Sequence, residues 1–381
     1  MSLSSKLARR QWSPGNPRSF STSVPLLHKR ITGPTVPNTS IKVFRTVPAL
    51  RQWRRQQLLD HRSIGLVPTM GALHSGHASL VKLAASETSL VVVSIYVNPA
   101  QFGVAEDLDS YPKTWEADCK ILRDLDRSIA EDGGNLGRIA AVFAPDTKEM
   151  YPSEGARGPA QEVNSKGSFV TVTPVGELLE GKTRPTFFRG VATVCMKLFN
   201  IVQPEKVYFG QKDVQQTVVI KKMVKDFCLN TSVVIGETKR EADGLALSSR
   251  NVYLGSRRRQ VATVLSTVLR AAETAYSRGK TSRDELLGPA QELAKLVLME
   301  QLKMEPEQRV KFEVDYISLA DPETMEELDN VDKGRGAILS GAIKMLEIES
   351  PQEGEDVGEA GGPPVRLIDN IILQPINASD G

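Results

Sequence analysis

Cysteine is scarce in this chain, with only Cys119, Cys195 and Cys228 among 381 residues. They are odd in number, widely spaced and without a metal-ligand pattern, so neither a disulfide framework nor a structural zinc site is indicated. Each lies in an apolar, helical or strand-like stretch, and the expectation is three buried thiols in a reducing compartment. Long apolar runs are missing as well. None approaches the roughly 20 residues that a membrane-spanning helix requires, and Leu90 to Val97, which is short, β-branched and broken by Ser94, reads as a buried strand. Acidic residues are absent before Asp60, whereas 11 of the 48 Lys and Arg precede it, so the remainder carries 37 basic residues against 46 acidic ones. A body of that sign argues against a broad nucleic-acid surface, which needs cations to replace phosphate counterions.

What is present fits a globular protein: 40% hydrophobic and 25% charged residues, in a chain long enough for two domains with cores of their own. Residues 1–40 are rich in Ser, Pro and Arg. MSLSSKLARRQW has the makings of a short basic amphipathic helix, and RSFSTS at 18–23 resembles a processing site. The segment is expected to be a mitochondrial transit sequence outside the fold, with a cytoplasmic location as the alternative, and the Pro-rich 34–37 is expected to be a linker.

From Ile41 onward, short apolar runs alternate with helical patterns. Strands are expected at 41–44, 64–67, 90–97, 140–144, 169–173, 207–209 and 232–235, and helices at 48–59, 78–85, 114–125, 191–202 and 214–225. That alternation predicts α/β architecture with a doubly wound parallel sheet over residues 41–236. Past about residue 237 the pattern changes to a helical region over 256–303 and strands at 313–318, 336–340 and 343–348. This predicts a second, smaller α/β domain over 237–381. The segments 131–138 and 352–364 read as solvated surface loops.

Two of the four histidines fall in one tetrapeptide, His74-Ser-Gly-His77, within PTMGALHSGH. A strand ends just before it and a helix begins in it, which in an open α/β sheet places it at the carboxyl edge where ligands bind. A helix start offers unpaired amides to phosphate, two imidazoles can donate to charge developing there, and Gly76 allows close approach of a ribose or an adenine. With no third His and no Cys nearby, the pair is a poor metal site. VNPAQF at 97–102 follows another strand, giving Asn98 and Gln101 for a small hydroxy acid. FGQKDVQQ at 209–216 places Lys212 and Asp213 at a helix start with Gln216 one turn on. DGLALSSRN at 243–251 supplies two hydroxyls and a guanidinium (Ser248, Ser249 and Arg250) suited to a phosphate-gripping lid.

Together these segments resemble the pantothenate synthetase (pantoate–β-alanine ligase) family. The resemblance runs from about residue 41 to the C-terminus and rests on PTMGxLHxGH, VNPxQF, LEGxxRPxxFRG, FGxKDxQQ and DGLAxSSRNxYL in that order. It implies a Rossmann-like sheet of nucleotidyltransferase type, a homodimer, and condensation of pantoate with β-alanine at the expense of ATP and Mg2+ through a pantoyl adenylate. It further implies His77, His74, Lys212 and Arg250 as catalytic groups. ATP contacts would be Met70, Gly210, Lys212, Asp213, Leu247, Ser248, Ser249 and Arg250 beside the histidines. Asn98, Gln101, Gln216 and Arg184 would contact pantoate or β-alanine, with Arg184 in a flexible gate. Gln211 stands where many members have Glu, and insertions are expected at 131–138, 155–167 and 352–364. Another HxGH nucleotidyltransferase, which would lack the paired glutamines, and an inactive nucleotide-binding paralogue are the alternatives. A class I aminoacyl-tRNA synthetase would need an RNA-binding face that the charge balance does not provide.

Overall fold

The computed structural model describes residues 34–103, 108–109, 111–153 and 165–376. The transit-like segment up to residue 33 and most of the expected insertion at 155–167 lie outside them. Residues 34–40 belong to the fold and do not act as a linker: Val36 is 1% exposed within the core, and Val43 donates its N–H to the Pro34 carbonyl.

The chain runs β1 (Lys42–Phe44), α1 (Val47–Leu59), β2 (Ile64–Thr69), α2 (Ser75–Glu87), β3 (Leu90–Ile95), α3 (Trp115–Asp132) and β4 (Arg138–Phe143). Two one-turn helices follow, α4 (Thr147–Met150) and α5 (Glu180–Thr183), then α6 (Phe187–Val202), β5 (Lys206–Gly210), α7 (Val214–Asp226) and β6 (Ser232–Gly236). The six strands form a parallel sheet in the order β1-β4-β3-β2-β5-β6. β2 and β3 are apolar on both faces because helices cover both, as parallel sheets require. The order reverses between β2 and β5, which lie side by side, so the crevice of a doubly wound sheet opens at the carboxyl ends of these two strands.

Helices α8 (Gly255–Ala262), α9 (Val264–Ser277) and α10 (Arg283–Leu302) then pack on a three-stranded antiparallel sheet. Its strands are β7 (Phe312–Ala320), β8 (Ala337–Met345) and β9 (Val365–Leu373). Leu265, Leu269, Ala272 and Tyr276, at helical spacing on α9, bury one face against Leu319, Leu339 and Ile343 of the sheet.

Five further expectations are corrected. Phe169–Thr173 is not a strand; Val170 instead donates its N–H to the Thr193 hydroxyl. The two strands expected at 336–340 and 343–348 are the single β8, and β9 lies where no strand is expected. Residues 131–138 are mostly element ends: α3 runs to Asp132, Gly133 closes it in the left-handed conformation, and Arg138 opens β4 paired to Asp126. The acidic 352–364 segment is docked, with Arg257 gripping Glu355 and the buried Arg258 donating to the carbonyls of Val357 and Pro363. Of the cysteines, Cys119 and Cys195 are buried, with burial pushing the Cys195 thiol up to about 12, but Cys228 is exposed.

Candidate active site

Every candidate site residue named above lines one cleft of about 1200 Å³ at the β2/β5 switch point. Its first wall is the turn from β2 into α2. Gly71 and Ala72 take left-handed backbone conformations there (φ 87° and 50°), and the buried Asp118 of α3 holds the turn by accepting the N–H groups of Ala72 (3.1 Å) and Leu73 (2.8 Å). His74 caps α2 and His77 occupies its first turn. Gly76 donates its N–H to His74 Nδ1 (3.1 Å), and His74 donates its own N–H to His77 Nδ1 (3.4 Å). With both Nδ1 atoms accepting, the ring protons sit on Nε2. The need for Gly76 is now explicit: a Cβ there would lie 2.8 Å from the His74 ring. The two ring centroids lie 4.1 Å apart with the planes tilted by 39°.

The electrostatics of this wall favour the neutral form of both imidazoles. Burial, then the Lys212 ammonium, lowers the His74 pKa, with Asp213 and Glu241 opposing. Burial, His74 and Lys212 together bring His77 down to about 3. His77 therefore offers a neutral N–H donor beside a fixed cation, and the downward shift of His74 favours the same neutral form, a combination suited to stabilising phosphate charge.

The opposite wall carries Gln101. Asn98, which lies behind it, is 1% exposed and its carboxamide is fully engaged: it donates to Gln101 Oε1 (3.0 Å) and to the Gly190 carbonyl (3.2 Å), and accepts from the Tyr151 hydroxyl (2.7 Å). Asn98 thus orients Gln101, with both of its own N–H groups already engaged. Because its oxygen is held by Asn98, the Gln101 amide turns its N–H groups to the cleft, making it a donor to carboxylate or hydroxyl oxygen. Arg184 packs at 3.8 Å over the Phe187 ring and donates to the Gln101 carbonyl (3.3 Å). Gln216 lines the cleft half-buried, whereas its neighbour Gln215 is buried and ties down the α5 segment through the Val175 and Leu178 carbonyls and the Glu180 N–H.

At the end of β5, a 3-10 turn over Gln211–Asp213 presents Lys212, 3.6 Å from the Asp213 carboxylate. Facing it, the 243–251 segment is braced at its base. Glu241 takes a two-pronged contact from Arg259 of α8 (2.9 and 2.6 Å) and accepts from Asn251 (2.9 Å), and Arg259 also pairs with Asp243. Ser249 reaches the Tyr111 hydroxyl across the cleft (3.4 Å). Among the described residues no group of three or more His, Cys, Asp or Glu is placed to hold a metal, and no helix is long and apolar enough to cross a membrane.

Several contributors had no legible signal. Asp118, Tyr151, Asn370 and the Glu180–Arg366 pair act through side chains far apart in sequence, and only the fold brings them to the cleft. Gln215 was visible only as the neighbour of Gln216, and its buried contacts to the α5 segment follow no local pattern.

Fold and cleft define a nucleotide-handling α/β protein with HxGH chemistry at a strand end. The family model of pantoate-beta-alanine ligase matches residues 42–372. The Saccharomyces cerevisiae pantoate–beta-alanine ligase is 40% identical, covering 87% of this chain and all of that protein. The Herpetosiphon aurantiacus pantothenate synthetase gives the same identity and coverage. Among solved structures, the Thermus thermophilus pantothenate synthetase superposes with a TM-score of 0.67 at 36% identity, over 87% of this chain and 99% of that one. The Francisella tularensis pantoate-beta-alanine ligase, complexed with beta-gamma ATP and beta-alanine, gives a TM-score of 0.60 at 29% identity, over 87% and 97%. The chain belongs to the pantoate–β-alanine ligase family.

Proposed function

We propose that this chain condenses pantoate with β-alanine to pantothenate, consuming ATP. A pantoate carboxylate oxygen attacks the α-phosphorus, the bond to the bridging oxygen breaks, and pyrophosphate leaves. The β-alanine amine then attacks the acyl carbon of pantoyl adenylate, loses a proton, and expels AMP. A carboxylate is a poor acylating agent and AMP a good leaving group, so the enzyme's work is positioning and charge stabilisation. The observation that carries this reading is the opposition of two walls in one cleft: neutral His74 and His77 with Lys212 on one side, the donor-oriented Gln101 on the other.

On this reading Nε2–H of His77 and His74, with the Lys212 ammonium, meets the phosphate charge that grows as the leaving bond breaks. Arg250, Ser248 and Ser249 close over the outer phosphates from the opposite side, while Met70, Gly210 and Leu247 flank the nucleoside. Gln101 and Gln216 hold pantoate, and Arg184 screens the cleft mouth. Magnesium enters with ATP as its phosphate complex, and the half-exposed Asp213 is the carboxylate beside Lys212 that would meet it or its water shell. Residues 237–381 serve as the smaller lid domain, and the family resemblance supports a homodimer.

Exchange of labelled pyrophosphate into ATP tests this directly, and the expected result is exchange that requires pantoate. Gln101→Ala is expected to raise the pantoate KM by roughly tenfold, the worth of one or two hydrogen bonds, with the ATP KM within twofold. Exchange without pantoate, or none at all, would defeat the reading. For location, mitochondrial import is proposed on the basic, acid-free composition of residues 1–40. A fluorescent protein carrying those residues is expected to enter mitochondria, and a diffuse cytoplasmic signal would refute that.

A further inference from the structure

Strand β9 belongs to the second sheet, yet two adjacent residues of it reach the segments that handle phosphate in the first. Asn370, 1% exposed, donates both N–H groups of its carboxamide to backbone carbonyls of the turn after β5, Gln211 (2.9 Å) and Lys212 (2.9 Å). Its oxygen accepts from Gln211 Nε2 (3.2 Å). Every hydrogen-bonding direction of this amide except one oxygen lone pair is therefore spent on that single turn. The preceding Asp369, 4% exposed, takes a two-pronged contact from Arg240 (2.6 and 2.9 Å). Arg240 in turn donates to the Gly244 carbonyl (3.1 Å) and pairs across from Ala246, at the root of the segment bearing Ser248, Ser249 and Arg250.

We propose that Asn370 is a positioning residue for ATP, fixing the Gln211–Asp213 turn so that Lys212 meets the phosphates, while Asp369 sets the lid segment in register from the same strand. The inference rests on the function proposed above. A lysine on a flexible stem delivers its charge only as accurately as its backbone is held, and this turn is otherwise a short 3-10 segment between β5 and α7. The amide type matters: donors, not bulk, are what the two carbonyls require. An aspartate of the same shape would set a carboxylate against both carbonyl oxygens, where alanine would leave them merely unpaired.

The test compares the full-length protein with Asn370→Ala and Asn370→Asp. Binding of a β,γ-imido ATP analogue is measured by calorimetry, and the ATP and pantoate KM values by pyrophosphate exchange. Expected are a roughly fivefold loss of analogue affinity in the alanine variant, tenfold or more in the aspartate variant, and a pantoate KM within twofold in both. A packing defect would rank the variants the other way, since alanine removes more volume. Unchanged analogue binding, an alanine effect equal to or larger than the aspartate one, or parallel loss in both KM values would overturn the proposal. If the aspartate variant does not fold, the alanine variant decides alone: weaker analogue binding with pantoate KM unchanged supports the proposal, and no change overturns it. A wild-type chain that binds the analogue but lacks pantoate-dependent exchange defeats the proposed function and leaves the binding comparison to decide this one. Failure of the wild type to bind the analogue defeats both.

Discussion

His77→Ala is expected to slow pantoate adenylation by about 10²-fold or more, the usual cost of deleting a fixed donor to transition-state charge. The substitution removes the Nε2–H that the proposed function sets toward the phosphates and also the acceptor of the His74 N–H, so the capping pair loses its geometry along with one of its donors. Pyrophosphate exchange at saturating ATP and pantoate measures the effect, and a near-normal rate would remove His77 from the chemistry. The pH dependence follows from the lowered pKa values. Because His77 falls from 6.5 to about 3 in the folded chain, the imidazole works neutral, and the exchange rate should show no ionisation assignable to it between pH 5 and 8. Stability behaves differently. As pH drops below 6.5 the unfolded chain takes up the proton first, so this contribution is fully present above 6.5 and is lost progressively as pH falls toward 3. Urea midpoints at pH 7 and pH 5 should therefore differ more in the wild type than in His77→Ala.

The second large effect concerns the joint between the two sheets. Glu180 of α5 is 5% exposed and receives two hydrogen bonds from Arg366 of β9 (2.5 and 2.7 Å) and one from the Tyr316 hydroxyl of β7 (2.9 Å). Burial, then the Glu180 charge and its hydrogen bond, drives the Tyr316 phenol well above its usual range, so it stays a donor. Glu180→Ala should cost about 2–3 kcal/mol, less than the usual cost of a broken buried pair because Asp315 still holds Arg366. Denaturant midpoints check this, and the Glu180→Ala/Arg366→Ala double variant should lose distinctly less than the sum of the singles. Additive losses would show that the pair does not couple α5 to the second sheet.

The sequence made part of this architecture legible for definite reasons. The alternation of short β-branched runs with helical periodicity located all six parallel strands to within two residues at either end, because strands covered on both faces are apolar throughout. Phe169–Thr173 misled because it has the composition of a strand without a neighbour to pair with. β8 was split because Gly341 interrupts its apolar run, yet that glycine is a packing requirement: a Cβ there would lie 2.9 Å from Leu265. The cleft-facing side chains were legible because short motifs at strand ends carry them. The groups that hold those side chains were not. Asp118 and Asn370 look like ordinary polar residues until the fold sets them 45 and 158 residues away from the backbone they grip. Asn98 belongs to a motif, but its role as the support for Gln101 depended on Tyr151 and Gly190, which no local pattern connects to it.

The grip of Asn370 on Lys212 also bears on how the protein is made. The parallel sheet is complete in sequence once β6 has been synthesised, while the rest of the chain is still being added. Its phosphate turn, however, waits for a residue 158 positions further on. At about 5–20 residues per second this is a delay of roughly 8–30 seconds. A sheet that forms at that stage carries its histidine wall before the contacts from Asn370 to the lysine turn can exist, and those contacts come only with the last strand.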